Sequence, residues 1–278
     1  MHTIPWDCEL RELLTPRVDD SILCHFDYSQ NEVKVLARYA NEDTLLKEFR
    51  NGIDIHRLVA SKIWKKDMAE VTSAERRFAK AIVFGILYGK TVRSIAEESM
   101  GGDFKAAQNL FDSFFTAFPK LKTWMDKQQR DVLKDGFVTT LYGDKLRISH
   151  DRHNRRSIED AKKYAVNYKI QSWSSSMAGV VIYEIFKEVY KRKIEAVPSI
   201  FTHDSSEWEI RLEYFIEFIK LTQKIAVDDI DKNWGVPVSI DFEIGVHQNN
   251  VMSLENLKIF ENSLEWDFEC NKLTFYDI

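Results

Sequence analysis

The stretch 72–89 reads Thr72-Ser73-Ala74-Glu75-Arg76-Arg77-Phe78-Ala79-Lys80-Ala81-Ile82-Val83-Phe84-Gly85-Ile86-Leu87-Tyr88-Gly89. It is a helix with both ends written into it. Thr72 and Glu75 stand three residues apart, the spacing of a capping box, in which each side chain takes up the other's exposed backbone N–H. Gly89 stops the helix, because a residue without Cβ takes the left-handed backbone freely. Arg76, Lys80, Phe84 and Tyr88 recur at every fourth position. At 100° per residue each step drifts by about 40°, so the four form one slowly turning stripe. Two cations one turn apart, near the positively polarised N-terminal half, make a clamp for a polyanion such as a triphosphate. An aromatic ring further along the stripe offers a face to a base. A solvated basic face above a partly buried one has the same pattern, and Arg77 falls off the stripe.

Outward from this helix, the hydrophobic period switches between helix and strand. Upstream, 54–64 is helical, and a helix starting near Gln30 carries Val33, Leu36, Ala37 and Tyr39-Ala40 on its apolar side. Before it, Ser21-Ile22-Leu23-Cys24-His25-Phe26-Asp27 reads as a short strand ending in an acid. Downstream, 104–135 holds two helices split near Pro119. A hairpin around Tyr142-Gly143-Asp144 follows over 137–148, then a helix over 158–192. Residues 197–203 and 206–210 predict a second hairpin with Asp204-Ser205 at its turn, and 212–230 an amphipathic helix. Val236, Val238, Ile240, Phe242, Ile244 and Val246 alternate strictly, as in a half-buried strand. The tail 252–278 carries six acids against two lysines and reads as an acidic appendage. There is no internal repeat. The expected class is α+β, a few antiparallel strands with many helices.

Composition narrows the function classes. The chain has 278 residues, 30% charged and 44% hydrophobic, with 10 Gly and 5 Pro, which excludes collagen, low-complexity disorder and a disulfide scaffold. The length leaves one large domain or two small ones open, and taken alone is that of a complete small enzyme. Lys and Arg number 39 against 44 Asp and Glu, so any nucleic-acid role sits in local patches rather than a uniform basic coat. Cys8, Cys24 and Cys270 are too far apart for a CxxC pattern. An odd cysteine count without a signal peptide points to a reducing compartment. No apolar run of about 18 residues spans a membrane, and the expected location is the cytoplasm.

Two acids and one basic stretch stand out. Asp27 ends an otherwise apolar strand, and Asp204 sits at a hairpin turn, an ordinary place for Asp. The alternative is that both project from adjacent strands of one sheet and hold two divalent metals, which activate a nucleophile and stabilise a leaving oxygen. Mg²⁺ suits such a pair, since it takes few protein carboxylates plus substrate phosphates. Spacing along the chain does not by itself bring the two acids together. Residues 145–156 hold Lys145, Arg147, Arg152, Arg155 and Arg156 against Asp151, with His150 and His153 added. That is either a phosphate-backbone contact or a solvated loop. His2 and His25 are incidental or structural.

Taken in order, these residues resemble a known family. Asp27-Tyr28-Ser29-Gln30-Asn31-Glu32 resembles the first palm motif of family A DNA polymerases, the DNA polymerase I-like enzymes. Arg76-x-x-x-Lys80-x-x-x-Phe84-x-x-x-Tyr88-Gly89 resembles their fingers-helix motif, and His203-Asp204 the third motif. Smaller matches are Asp54-Ile55-His56-Arg57, the stretch 115–124 around Phe118-Pro119, Thr140-Leu141-Tyr142-Gly143 and Asn167-x-x-x-Gln171. The resemblance runs from about residue 3 to 250. It implies a right-hand polymerase: a palm over 1–251 with helical fingers inserted at roughly 45–165, and 252–278 as an extension of unassigned role. The implied activity is template-directed DNA polymerisation. The primer 3′-hydroxyl attacks the α-phosphate of a dNTP, with two Mg²⁺ ions on Asp27 and Asp204. Arg76, Lys80 and His56 resemble the triphosphate contacts. Phe84 packs near the sugar and base, and Tyr88 stacks beside the templating position. Glu32 resembles the residue that fills the space of a ribose 2′-hydroxyl. Gln30 matches a position near the nucleotide and primer terminus. Asn167, Gln171 and His203 match positions near the primer terminus or minor groove; Lys145 and Arg147, from the basic stretch, are the candidate contacts to the DNA backbone.

The sequence also departs from the family. Ser205 stands where the family has Glu after the third-motif Asp, Lys163 where it has Arg, and Ser172 where it has Gly. Family members carry a thumb and often an exonuclease before this motif, and the expectation is that this chain does not supply them. The expectation is therefore the C-terminal palm-and-fingers part of a split polymerase, of the kind associated with bacteriophages. A separate N-terminal polypeptide would carry the thumb. Two alternatives stay open: a single-subunit RNA polymerase, suggested by His203-Asp204-Ser205 and opposed by Glu32, and a non-catalytic DNA-binding subunit decayed from a polymerase.

Overall fold

The structure is a computed structural model that describes residues 14–247, 250–253, 264–267 and 272–275. The chain divides into two units, one of Met1–Ser29, Ser175–Trp234 and Val238–Ile278, the other of Gln30–Ser174 and Gly235–Pro237.

The first unit is built on a five-stranded antiparallel sheet. In chain order its strands are β1 (Ser21–Tyr28), β4 (Ala196–Thr202), β5 (Ser205–Arg211), β6 (Ile240–His247) and β7 (Asn250–Ser253). Their order in space is β4-β5-β1-β6-β7, which puts β1 in the middle. On β1, buried Ile22, Cys24 and Phe26 alternate with His25 and Asp27 on the opposite face. Trp208, Ile210, Phe242 and Ile244 extend the apolar face across β5 and β6. Burying each such side chain contributes about 2 kcal/mol. Helix α9 (Phe215–Gln223) packs on this face, with the Phe218 ring 5.2 Å from Trp208. The second half of α8 (Arg155–Arg192) adds buried Met177, Val181, Ile185 and Val189 at helical spacing.

Several boundaries differ from the sequence expectations. The hairpin turn is His203-Asp204, while Ser205 already opens β5. Strand β6 begins at Ile240, because Pro237 has no N–H to give a ladder and 235–237 belongs to the other unit. The expected helix 212–230 is four pieces: a 3₁₀ turn at Leu212–Tyr214, α9, a π turn at Lys224–Asp228, and α10 (Asp229–Trp234). Edge strand β4 shifts register between Pro198 and Ile200, the kind of place where a sheet tolerates proline. In the tail, β7 carries residues 252 and 253 into the sheet. A further pair, β8 (Leu264–Asp267) and β9 (Lys272–Phe275), forms a hairpin. The rest of the acidic tail, with Cys8, Cys270 and His2, lies outside the described residues; Cys24 is a buried free thiol.

The second unit is helical. Its elements are α1 (Asn31–Ala40), α2 (Asp43–Arg50), α3 (Ile55–Trp64), α4 (Ser73–Leu87), α5 (Val92–Ser99), α6 (Phe104–Ala117) and α7 (Pro119–Asp135). A hairpin of β2 (Phe137–Thr139) and β3 (Lys145–Arg147) and the first half of α8 complete it. Helices α2 and α5 were not expected, because eight residues give two turns, too few for the period to stand out. Helix α4 has the foreseen capping box: Glu75 N donates to Thr72 Oγ1, and Thr72 N donates to Glu75 Oε2 at 2.8 Å. Gly89 is needed twice over. Its φ is +76°, and a Cβ there would meet Lys163 Cγ at 2.9 Å. Pro119 starts α7 at the position where its missing N–H costs nothing. Val132, Val138, Ile148, Ala161 and Ala165 close a core between α7, the hairpin and α8. Helix α8 starts three residues earlier than expected, capped by Asn154 Oδ1 on the N–H groups of Arg156 and Ser157. Arg155 and Arg156 are therefore helical rather than in a loop. Among the described residues no helix is long and apolar enough to cross a membrane.

Candidate active site

In the first unit, β1 delivers Asp27 to the polar face of the sheet. Its partners across the strands are Ser205 on β5 and Asp241 on β6. His203 takes the left-handed backbone (φ 54°), which closes the β4–β5 turn in two residues. Asp204 thus stands immediately before the residue that faces Asp27. The charges interact. Partial burial among the strands, then the charge of Asp204, raises the Asp27 carboxyl from its ordinary 3.8 to about 6, against a hydrogen bond from the Tyr28 N–H. Asp241 and Glu243 add smaller pushes in the same direction. Asp241 accepts from Ser29 Oγ at 2.7 Å, and Glu243 lies 3.7 Å from His25 Nδ1. The Ser205 hydroxyl donates to the Thr202 carbonyl at 3.0 Å, which ties down the turn.

Two carboxylates held against each other repel, and a divalent cation relieves that repulsion. Among the described residues no group of three or more His, Cys, Asp or Glu forms a cage for a metal. A carboxylate pair completed by water and phosphate oxygens is the arrangement Mg²⁺ favours, so the residues fit the ion.

In the second unit, the stripe on α4 is real and half-exposed. Arg77 is exposed beside it. Arg76 Nε donates to Asp54 Oδ2 at 2.6 Å. Asp54 is also the N-cap of α3, its Oδ1 accepting from His56 N at 2.8 Å and Arg57 N at 3.3 Å. Burial alone would raise the Asp54 carboxyl; Arg76 and the two backbone donors outweigh it and hold it below the usual range. Lys80 Nζ lies 5.7 Å from the centre of the Phe84 ring, and Phe84 stacks on Tyr88 at 5.8 Å. The His56 ring lies 5.6 Å from Phe84. His56 is 1% exposed, and neither ring nitrogen has a hydrogen-bond partner among the described residues. Burial, with Arg76 and Lys80 working against Asp54, lowers its pKa to about 4, so the ring is neutral near pH 7. Tyr88 Oη donates to the Glu32 carboxylate, which joins two residues that the sequence had linked only by resemblance.

The remaining expected residues are spread out. Gln30 takes the left-handed backbone ahead of α1, and its Oε1 accepts from Ile55 N at 3.2 Å, which ties it to the start of α3. Asn167 and Gln171 lie one turn apart on α8. Asn167 Oδ1 is buried without a partner among the described residues, while Gln171 is exposed. Lys145 and Arg147 are exposed on β3, with Lys145 Nζ 4.7 Å from the centre of the Phe137 ring. His203 is exposed at its turn in the first unit.

Three residues of these sites were missed as site residues. Asp54 was quoted in a motif and given no role. Asp241 and Glu243 fall on the polar positions of the strictly alternating strand, so the signal was present. Pairing that strand beside Asp27 was what gave it meaning.

DNA polymerase family A matches residues 2–250. The chain is 28% identical over 249 residues to DNA polymerase I of Lactococcus lactis subsp. lactis (strain IL1403), covering 85% of this chain and 27% of that one. It is 28% identical over 248 residues to DNA polymerase I of Geobacillus stearothermophilus, with 85% and 27% covered. Thus it spans about a quarter of the length of the curated relatives it matches. In structure it is similar to the POL domain of Pol1 from M. smegmatis, in complex with DNA primer-template and dNTP. The TM-score is 0.81 at 22% identity, over 88% of this chain and 44% of that one. That likeness shows the fold, a mixed helix and antiparallel-sheet polymerase domain. With a family match over nearly the whole described chain, this protein belongs to DNA polymerase family A.

Proposed function

We propose that the chain catalyses template-directed DNA synthesis, adding dNMP from dNTP to a primer 3′-hydroxyl with release of pyrophosphate. The observation that carries this is the placing of Asp27 on β1 across from Ser205, beside Asp204 at the β4–β5 turn, where the Asp204 charge adds to burial in raising the Asp27 carboxyl. Primer-template DNA and dNTP, the ligands of the M. smegmatis domain, are the ligands proposed here. The sheet unit is the palm and the helical unit the fingers. Asp27 and Asp204 are the carboxylates for two Mg²⁺ ions. When bound, the ions neutralise phosphate charge and favour the attacking oxygen. Arg76 and Lys80 hold the triphosphate, Arg76 through directional N–H donors and Lys80 as a point charge. His56, neutral, supplies at most one N–H to it. Phe84 and Tyr88 face the sugar and base. Glu32, held by Tyr88, fills the place of a ribose 2′-hydroxyl. Gln30, Asn167, Gln171 and His203 act at the primer end and minor groove, and Lys145 and Arg147 on the phosphate backbone. A separate N-terminal polypeptide carrying the thumb is part of this proposal.

The test is primer extension with Mg²⁺, with and without a thumb-bearing polypeptide. Extension that Asp27→Ala and Asp204→Ala each abolish, with DNA binding kept, is the expected result. No extension by any combination overturns the proposal. Faster incorporation of rNTPs than dNTPs would favour the RNA polymerase reading, against Glu32.

A further inference from the structure

We propose that Asp54 is a positioning residue: it grips Arg76 by Nε and so keeps the two Nη nitrogens aimed for a polyphosphate. This rests on Arg76 being a triphosphate contact. One carboxylate makes three bonds here. Oδ2 receives Arg76 Nε at 2.6 Å, while Oδ1 receives His56 N at 2.8 Å and Arg57 N at 3.3 Å. The last two anchor Asp54 to the first turn of α3, so its position is set by backbone. A guanidinium held at Nε by a fixed partner keeps its other edge, the Nη pair, in one plane and direction. Neither of those nitrogens makes a hydrogen bond or ion pair among the described residues. Preorganisation of this sort is what a bidentate phosphate contact needs.

The same carboxylate also neutralises Arg76, which by itself would weaken attraction to a polyanion. The two effects have opposite signs, and Lys80 resolves the conflict. It is exposed and has no carboxylate partner among the described residues, only the Phe84 ring at 5.7 Å. Lys80 therefore supplies the net charge, and Arg76, held by Asp54, the direction.

Asp54→Asn and Asp54→Ser test this, since Asn and Ser both keep an N-cap acceptor for α3 but present no carboxylate to Arg76. Binding of inorganic tripolyphosphate to the full chain is measured by calorimetry in chelator, which isolates the cations from any metal. KM and kcat for dNTP are measured in primer extension. The expected result is binding weakened about tenfold, the loss of one well-placed charge-assisted contact. KM should rise with kcat little changed, and neither variant should lose more in an Arg76→Ala background. Thermal unfolding of both variants shows that the α3 cap is kept. Unchanged or tighter binding in the Asp54 variants, as neutralisation alone would give, overturns the inference and leaves the polymerase proposal standing. A loss that adds fully to that of Arg76→Ala overturns it too. Absence of tripolyphosphate and dNTP binding by the wild-type chain overturns both.

Discussion

Replacing Asp27 by Asn should stabilise the metal-free protein at neutral pH. The Asp27 carboxyl sits at about 6 in the folded chain instead of its ordinary 3.8, first through partial burial and then through Asp204. A folded-state pKa above the unfolded one means the native state binds the extra proton between those two values. Stability therefore falls as pH rises from about 4 to about 6 and stays lower above that. In a dry site the displacement would correspond to about 3 kcal/mol. Part of the Asp27 side chain still faces solvent, and screening cuts this to about 1 kcal/mol. Asn has nearly the same shape and no charge to repel Asp204 or Asp241. In chelator at pH 7.5, Asp27→Asn should thus unfold about 2–3 °C later than wild type, and at about pH 4 the two should coincide. Adding Mg²⁺ should stabilise the wild type and not the variant, narrowing the gap. The measurement is thermal and urea unfolding across pH 4–8, with and without Mg²⁺. A variant that is less stable than wild type at pH 7.5, or a gap of equal size at pH 4, would refute the repulsion argument.

Other positions give sharper tests of packing and charge. Thr222 on α9 is fully buried, and its hydroxyl has no partner among the described residues. Thr222→Val should stabilise the chain by about 1 kcal/mol in urea unfolding, and a loss of stability would reveal a hidden partner. His56 is held neutral down to about 4 against an ordinary 6.5, so the unfolded chain takes up the proton first and stability falls as pH drops from about 6.5 to about 4. The loss should be about 3 kcal/mol, and the wild-type-minus-His56→Gln difference should show it. A difference that stays flat across that window means the ring charges freely in the folded state.

How much of this was legible beforehand depended on the range of the interactions. The α4 helix was readable to the residue at its start, because a capping box and a fourfold repeat are local and need no tertiary partner. The π turn at 224–228 and the short helices α2 and α5 were not readable. Two-turn helices carry too little period, and they persist because Leu45, Leu46 and Phe49 on α2 or Ile95 and Ala96 on α5 find a core. The β4–β5 turn was misplaced by one residue. Propensity allows Asp or Ser at a turn equally, while the pairing of Ser205 with Asp27 decides which it is.

The sequence by itself determined the alternation that makes the sheet, the capped α4 helix with its Arg76–Lys80–Phe84–Tyr88 stripe, and a motif order specific enough to point to the family. Only the tertiary structure decided which charges act on which. Asp27 and Asp204 lie 177 positions apart and meet because β1 and β5 pair in one register. The pairing of β1 with β6 on its other side brings Asp241 opposite Asp27. Asp54 and Arg76 meet because α3 and α4 pack together, which turns a helix cap into a guanidinium anchor. Side-chain chemistry is written along the chain, whereas electrostatic coupling falls off with distance in space, and that distance is set only when the elements pack.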